Sequence, residues 1–204
     1  MKGYTLFKWG NYLYKHAFGI YVPVYTLYKR VSDKMERKLM QQCIKAGDCV
    51  VDVGANIGIY TRYLAQLAGQ NGEVHAFEPA PANFGRLQAC THALRNVKLH
   101  QAAVGSQAGT TRLYLSDELN VDHRTYQTED TRNIQEVACV CLDEYFKDKP
   151  IDFIKLDIQG YEYAALLGMQ ETLRCNVNLQ MIMEFWPYGL RQAGNDYHAV
   201  LQLL

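Results

Sequence analysis

From Ser32 onward, hydrophobic and polar positions fall into two alternating rhythms, and these predict the elements. Ser32 reads as a helix N-cap. Met35, Leu39, Met40 and Cys43 follow at helical spacing, and Gly47 closes the helix. Cys49-Val50-Val51-Asp52-Val53 is a short, nearly continuous apolar run, the pattern of a parallel strand covered on both faces. The Gly54-Ala55-Asn56-Ile57-Gly58 turn leads into a helix carrying Tyr60, Leu64 and Leu67 that ends near Gly69. A second strand over 73–77 ends in Glu78-Pro79. A helix from Pro81 carries Phe84, Leu87 and Leu94, and a third strand spans 97–104. Past Gly105, strands over 110–115 and 134–141 flank a polar loop of roughly residues 116–133, a length uncommon without a function. A short helix over 142–146 and a strand over 151–156 ending in Asp157 come next. A helix over 161–173 and a last apolar strand over 179–185 follow, then Trp186-Pro187 and a helix opened by Asp196.

Strands that alternate with helices predict an α/β fold, a mostly parallel sheet with helices on both faces. In such sheets ligands sit outside the carboxyl ends of the strands, where the strand order reverses. That rule selects the Gly54–Gly58 turn, Glu78, the strand end at Ala102, Ala103 and Val104, then Asp157 and Glu184.

Composition narrows the function. The chain has 204 residues, 21 Lys+Arg and 21 Asp+Glu, with no formal net charge, which argues against nucleic acid as a partner. The average conceals an asymmetry. The first 30 residues carry Lys2, Lys8, Lys15, Lys29 and Arg30, no acid, and nine of the 24 aromatic residues. This segment, residues 1–31, reads as an aromatic, basic extension ahead of a domain over 32–204. Its uncharged stretch over 16–28 contains Pro23 and is too short to span a bilayer, although it could lie on a membrane surface. The favoured alternative is that these aromatics cover one edge of the core or line the site. Six cysteines with no metal-ligand spacing read as small hydrophobes in a reduced, cytoplasmic protein.

The chemistry lies at the strand ends. A glycine-containing turn between strand and helix lets a ligand approach the backbone, and the helix N-terminus offers N–H groups to an anion. Asn56 stands where a dinucleotide fingerprint has its second glycine, and it tolerates a left-handed backbone. Glu78 at the next strand end can accept both hydroxyls of a ribose. Lys155-Leu156-Asp157-Ile158-Gln159-Gly160-Tyr161-Glu162 puts a carboxylate at a strand end and another in a helix start. Met183-Glu184-Phe185-Trp186-Pro187 repeats the strand-end pattern.

Together these residues resemble the FkbM family of S-adenosylmethionine-dependent methyltransferases, over a stretch from about Ser32 to Pro187. The motifs that carry the resemblance are D-V-G-A-N-I-G, F-E-P and K-L-D-I-Q-G-Y-E. The resemblance implies a class I methyltransferase fold, a Rossmann-like three-layer αβα sandwich, with S-adenosylmethionine as cofactor. It implies a cofactor site of Asp52, Gly54, Ala55, Asn56, Ile57 and Gly58, with Thr61, for the methionine part. Glu78 and Pro79 would take the ribose, Ala102 and Ala103 the adenine, and Asp157 the sulfonium and amino group. Family members typically methylate a hydroxyl on a sugar or secondary metabolite, so the expected partner is a small-molecule or carbohydrate acceptor. Methyl transfer to a neutral hydroxyl is helped by a base, for which Asp157, Glu162, Glu184 and His123 are the candidates. Arg124, Tyr126, Glu162 and Trp186 are the candidate acceptor contacts, and no metal is indicated. The final antiparallel strands of the class are expected to be missing, which leaves a sheet edge that a second copy could cover. Two other readings stay open: an NAD-type oxidoreductase, and a non-catalytic domain that binds a membrane or partner through residues 1–30. If the 116–133 loop forms part of the acceptor pocket, His123→Ala or Arg124→Ala will lower turnover and leave cofactor affinity intact. Unchanged turnover removes the loop from the mechanism.

Overall fold

The computed structural model describes residues 10–115, 133–147 and 149–204. The expectations for His123, Arg124 and Tyr126 therefore lie outside the described residues. Residues 10–16 are helical and are followed by α1 (Phe18–Ser32) and α2 (Lys34–Cys43). The core then alternates: β1 (Cys49–Val53), α3 (Ile59–Ala68), β2 (Glu73–Phe77), α4 (Pro81–Thr91) and β3 (Val97–His100). Next come β4 (Ala103–Val104), β5 (Gly109–Leu115), β6 (Asn133–Val140), α5 (Leu142–Tyr145) and β7 (Phe153–Leu156). The last elements are α6 (Glu162–Leu167), α7 (Gln170–Cys175), β8 (Gln180–Met183), α8 (Pro187–Gln192) and α9 (Tyr197–Gln202).

Five strands pair in parallel in the order β3-β2-β1-β7-β8. Every residue of β1 is buried, which explains an apolar pattern interrupted by Asp52 alone. Its side chains alternate between two layers. Val50 packs with Phe153, Met40 of α2 and Leu64 of α3, whereas Val51 packs with Ile154, Leu166 of α6 and Leu190 of α8. The result is a Rossmann-like αβα sandwich whose strand order reverses between β1 and β7. Among the described residues no strand follows β8, which forms one edge of the sheet.

Compared with the sequence reading, α2 ends at Cys43 and not at Gly47, Leu94 falls beyond α4, and β8 spans Gln180–Met183 and not 179–185. Three further differences change an element. The single strand expected over 97–104 is two strands in two sheets. β3 ends where the Glu78 N–H bonds the His100 carbonyl, and β4 pairs instead with β6 in a separate sheet of order β4-β6-β5. Ser32 is not an N-cap but the last residue of α1, because Asp33 continues the helical bonding. Its N–H donates to Lys29 and its carbonyl accepts from Arg37. The helix expected over 161–173 is interrupted at Gly168 and Met169. There Asp143 receives the N–H groups of Glu171 and Thr172 and starts α7 afresh.

The aromatic N-terminal segment packs on the domain. Tyr14 and Tyr21 bury against Ile57 and Ile59, and Tyr14 donates a 2.5 Å hydrogen bond to Asn83. The Arg86 guanidinium lies 3.3 Å from the centre of the Tyr14 ring. No helix among the described residues is long and apolar enough to cross a membrane.

Gly168 tests the packing at the α6–α7 break, since a Cβ there would lie 2.0 Å from the Gly105 carbonyl oxygen. Gly168→Ala should cost about 1–3 kcal/mol in urea unfolding. Gly85→Ala, inside α4 with open space around it, should be neutral or gain up to about 1 kcal/mol.

Candidate active site

The carboxyl ends of β1, β2 and β7 open on a cavity of about 520 Å³, within the range of small-molecule sites. Its first wall is the turn after β1. Gly54 has a positive φ of 84°, and a Cβ on it would fall 1.9 Å from the Asp157 carbonyl oxygen, so only glycine fits between the two strand ends. Asn56 follows in the left-handed region, with φ 52°. Its N–H donates to Glu78 Oε2 (2.8 Å), whereas its buried side-chain oxygen has no hydrogen-bond partner. Glu78 also accepts from Ala80 N–H at 2.9 Å. Burial outweighs these bonds and pushes its pKa up to about 7.

The second wall comes from the ends of β7 and β8. Lys155 is 5% exposed, and its ammonium lies 3.1 Å from Asp157 Oδ2 and 3.8 Å from Asp52 Oδ1. Burial works against its charge, but the two carboxylates hold its pKa above the ordinary lysine value. Burial likewise works against Asp157, yet Lys155 and the Gln159 amide bring its pKa below the usual carboxylate value. Gln159, at φ 56°, turns its amide to bridge Asp157 Oδ1 (3.3 Å) and Glu184 Oε2 (2.9 Å). Glu184 is pushed the other way, up to about 7, by burial and then by the negative charges of Asp157 and Glu162. Two neighbouring carboxyl groups are thus held in opposite protonation preferences.

The third wall is α1, where Tyr25 and Lys29 line the cavity beside Tyr60 of α3. Tyr60 donates to Asp33 Oδ2 (2.5 Å), with Glu36 Oε2 3.1 Å away, and Lys29 pairs with the same Asp33 oxygen at 2.8 Å. Burial and these carboxylates raise the Tyr60 pKa, so the phenol stays protonated. Its ring has the Lys29 and Lys155 ammonium groups 5.7 and 5.0 Å from its centre. Tyr25 is pushed up to about 12, mainly by burial.

Of the residues selected from sequence, Gly54, Ala55, Asn56, Ile57, Glu78, Pro79, Ala102, Ala103, Asp157 and Glu184 line this one cavity. Asp52 and Thr61 lie beneath it, fully buried, with the Thr61 hydroxyl donating to Asp52 at 2.7 Å. Gly58 sits behind the turn, against Leu87 of α4. Glu162 is fully buried outside the lining, where its Oε1 accepts the N–H groups of Ile158 and Gly160 and braces the loop. Trp186 also stands outside the lining, packed on Gly189 and beside Tyr188. Tyr25, Lys29, Tyr60, Lys155 and Gln159 were not selected. Lys155 and Gln159 stood in a quoted motif, but nothing in the spacing of α1 marks which of its sides meets the sheet.

Comparison with known proteins places this geometry. Residues 52–204 match the model of the methyltransferase FkbM domain. The chain is 31% identical to Methyltransferase sdnD of Sordaria araneosa, with 70% of this chain and 68% of that protein covered. It is 28% identical to 31-O-demethyl-FK506 methyltransferase FkbM of Streptomyces tacrolimicus, over 63% of this chain and 62% of the relative. Methyltransferase 1 of Beauveria bassiana is spanned to 58% of its length, so the chain matches three-fifths to two-thirds of these relatives. Among solved structures, a candidate rRNA-methylase from Clostridium thermocellum superposes with a TM-score of 0.54 at 15% identity, covering 83% of this chain and 76% of that one. A candidate methyltransferase from Streptococcus mutans, in complex with SAH, gives 0.50 at 12% identity, covering 83% and 78%. At these identities the likeness is one of fold.

The raised pKa of Glu184 has a stability consequence. Its folded value near 7 exceeds the ordinary value of 4.5, so the folded state holds the proton more tightly. The stability of the neutral form is fully present below 4.5 and is lost as pH rises through 7. Glu184→Gln, permanently neutral, should therefore raise the melting temperature at pH 8 by about 2–4 °C, roughly 1 kcal/mol, and leave it unchanged at pH 4. A melting temperature that falls at pH 8 would refute this protonation pattern.

Proposed function

The chain belongs to the FkbM methyltransferase family, and we propose that it transfers a methyl group from S-adenosylmethionine to a hydroxyl on a sugar or small metabolite. The observation that carries this reading is the Asp157–Gln159–Glu184 cluster at the cavity floor, with one carboxylate ionised and its neighbour poised near neutrality. When bound, the cofactor supplies an electrophilic methyl group on a sulfonium.

The residues present suit that ligand. The unpartnered Asn56 side-chain oxygen is an acceptor for an ammonium group, and the α3 N-terminus beside it favours a carboxylate. An amino-acid moiety offers both. Glu78 already accepts two backbone N–H groups and bonds the Asn83 side chain, and of the four acceptor positions of a carboxylate one is left for a ribose hydroxyl. Ala102 and Ala103, small residues at the β3–β4 corner, leave room for a flat ring. The ionised Asp157 makes the floor favourable to positive charge.

In this reading Glu184 is the general base. A carboxylate with a pKa near 7 takes a proton from an acceptor hydroxyl more readily than one near 4, and is still largely ionised just above neutrality. Lys155 keeps Asp157 charged, and burial together with that negative charge holds the Glu184 pKa up against the direct pull of Lys155. Gln159 fixes the separation of the two carboxyl groups. Tyr25, Lys29 and Tyr60 face the same space and are assigned to the acceptor, with His123, Arg124 and Tyr126 from the loop. The name of the Streptomyces relative, which gives an O-demethylated compound as what it methylates, supports oxygen as the acceptor atom.

The test combines binding and turnover. S-adenosylhomocysteine, but not NAD, should raise the melting temperature of the native chain. Glu184→Gln should lower turnover on a hydroxylated acceptor by about 10²-fold or more while S-adenosylhomocysteine affinity stays within about twofold. The native rate should climb with pH through about 7. Stabilisation by NAD instead, or full turnover in Glu184→Gln, would overturn the assignment.

A further inference from the structure

The side of the N-terminal helices that faces away from the cavity is apolar and uncovered. Ile20, Val24, Leu27, Val31 and Met35 recur every three or four positions and are 60, 55, 63, 73 and 70% exposed. They share one side of a helix. Ile20 to Val31 form the row on α1, and Met35 extends it onto α2, past the non-helical Asp33 (φ −103°, ψ 32°) that joins the two helices. Scattered exposed apolar side chains are ordinary, but a contiguous row on one element is not.

Charge decides what covers it. Arg30, Lys34 and Lys38 are exposed and recur on the same helical side or its border. The two acids of this segment are engaged elsewhere, Asp33 with Lys29 and Tyr60, and Glu36 beside the Tyr60 hydroxyl. A second copy docking through the same face would set these cations against its own cations, with no carboxylate to receive them. An anionic lipid surface offers an apolar layer for the row and phosphate groups for the border. The helices are not long and apolar enough to cross, so they would lie in the plane of the interface.

We propose that the α1–α2 face docks this protein on an anionic phospholipid membrane, with Leu27 and Val31 inserted and Arg30 and Lys34 on the headgroups. The opposite side of α1 carries Tyr25 and Lys29, so docking leaves the cavity on the far side of the helix from the bilayer, open to solvent. The docking itself does not depend on the methyltransferase reading.

Co-sedimentation of the purified full chain tests it, with vesicles of phosphatidylcholine alone and of phosphatidylcholine mixed with phosphatidylglycerol. The chain should pellet with the anionic vesicles and be released by high salt. Leu27→Asp with Val31→Asp, and separately Arg30→Glu with Lys34→Glu, should each weaken partitioning by at least about tenfold. Both pairs should keep the native melting temperature, because these side chains line no part of the cavity. Three results overturn the proposal: no pelleting with either vesicle, stably folded variants that pellet as well as the native chain, or a dimer in size exclusion that Leu27→Asp with Val31→Asp dissolves. The last would make the face a contact between copies. None of the three touches the methyltransferase reading, since no turnover is measured.

Discussion

The buried ammonium of Lys155 is the group on which the cavity depends. It stands opposite Asp52 in the β1–β7 register and two residues before Asp157, and so it lies between a carboxylate beneath the sheet end and another at the cavity floor. Neither a cation nor a carboxylate is cheap to bury alone. Together they fix the ends of two adjacent parallel strands and leave Asp157 charged where a ligand arrives. Glu184 is raised by burial first and then by the charge of Asp157, while Lys155 itself pulls the other way. One buried lysine thus ties the ends of two strands together and keeps Asp157 ionised.

Around this cluster the chain divides its labour by segment. The core supplies the turn after β1 and the carboxylates, whereas the basic, aromatic N-terminal segment supplies a wall. Formal neutrality is the sum of these unlike parts. Asp33 joins them, since it holds Lys29 of α1 and Tyr60 of α3 at the same cavity edge and links α1 to α2 by backbone bonds on either side of it. The residue at the junction of the two helices also ties them to the site.

Much of this could be read in the sequence. The nearly continuous apolar run of β1 announced a strand with both faces covered, and the strand-end rule selected Gly54, Asn56, Glu78, Asp157 and Glu184, which line one cavity. Failures came where long-range pairing overrides local pattern. Residues 97–104 look like one strand, and only the partnership of β4 with β6 divides them. Ser32 looks like a cap, but it ends α1, and the junction falls one residue later at Asp33, which Lys29 and Tyr60 engage. Glu162 carries the charge a site would want, but its oxygen is spent on two backbone N–H groups of its own loop. Tyr25 and Lys29 stayed hidden because an aromatic helix with apolar residues on several sides does not reveal which side packs.

The contact between Gly54 and the Asp157 carbonyl has a further consequence. The two loops meet backbone to backbone, with no side chain between them to absorb a mismatch. A shift in one is a clash in the other, so the loop after β1 and the loop after β7 form a single inherited unit despite their distance along the chain. Chimeras that graft acceptor specificity from a relative therefore have to move both loops or neither, while α1, joined through side chains alone, is the segment free to be exchanged.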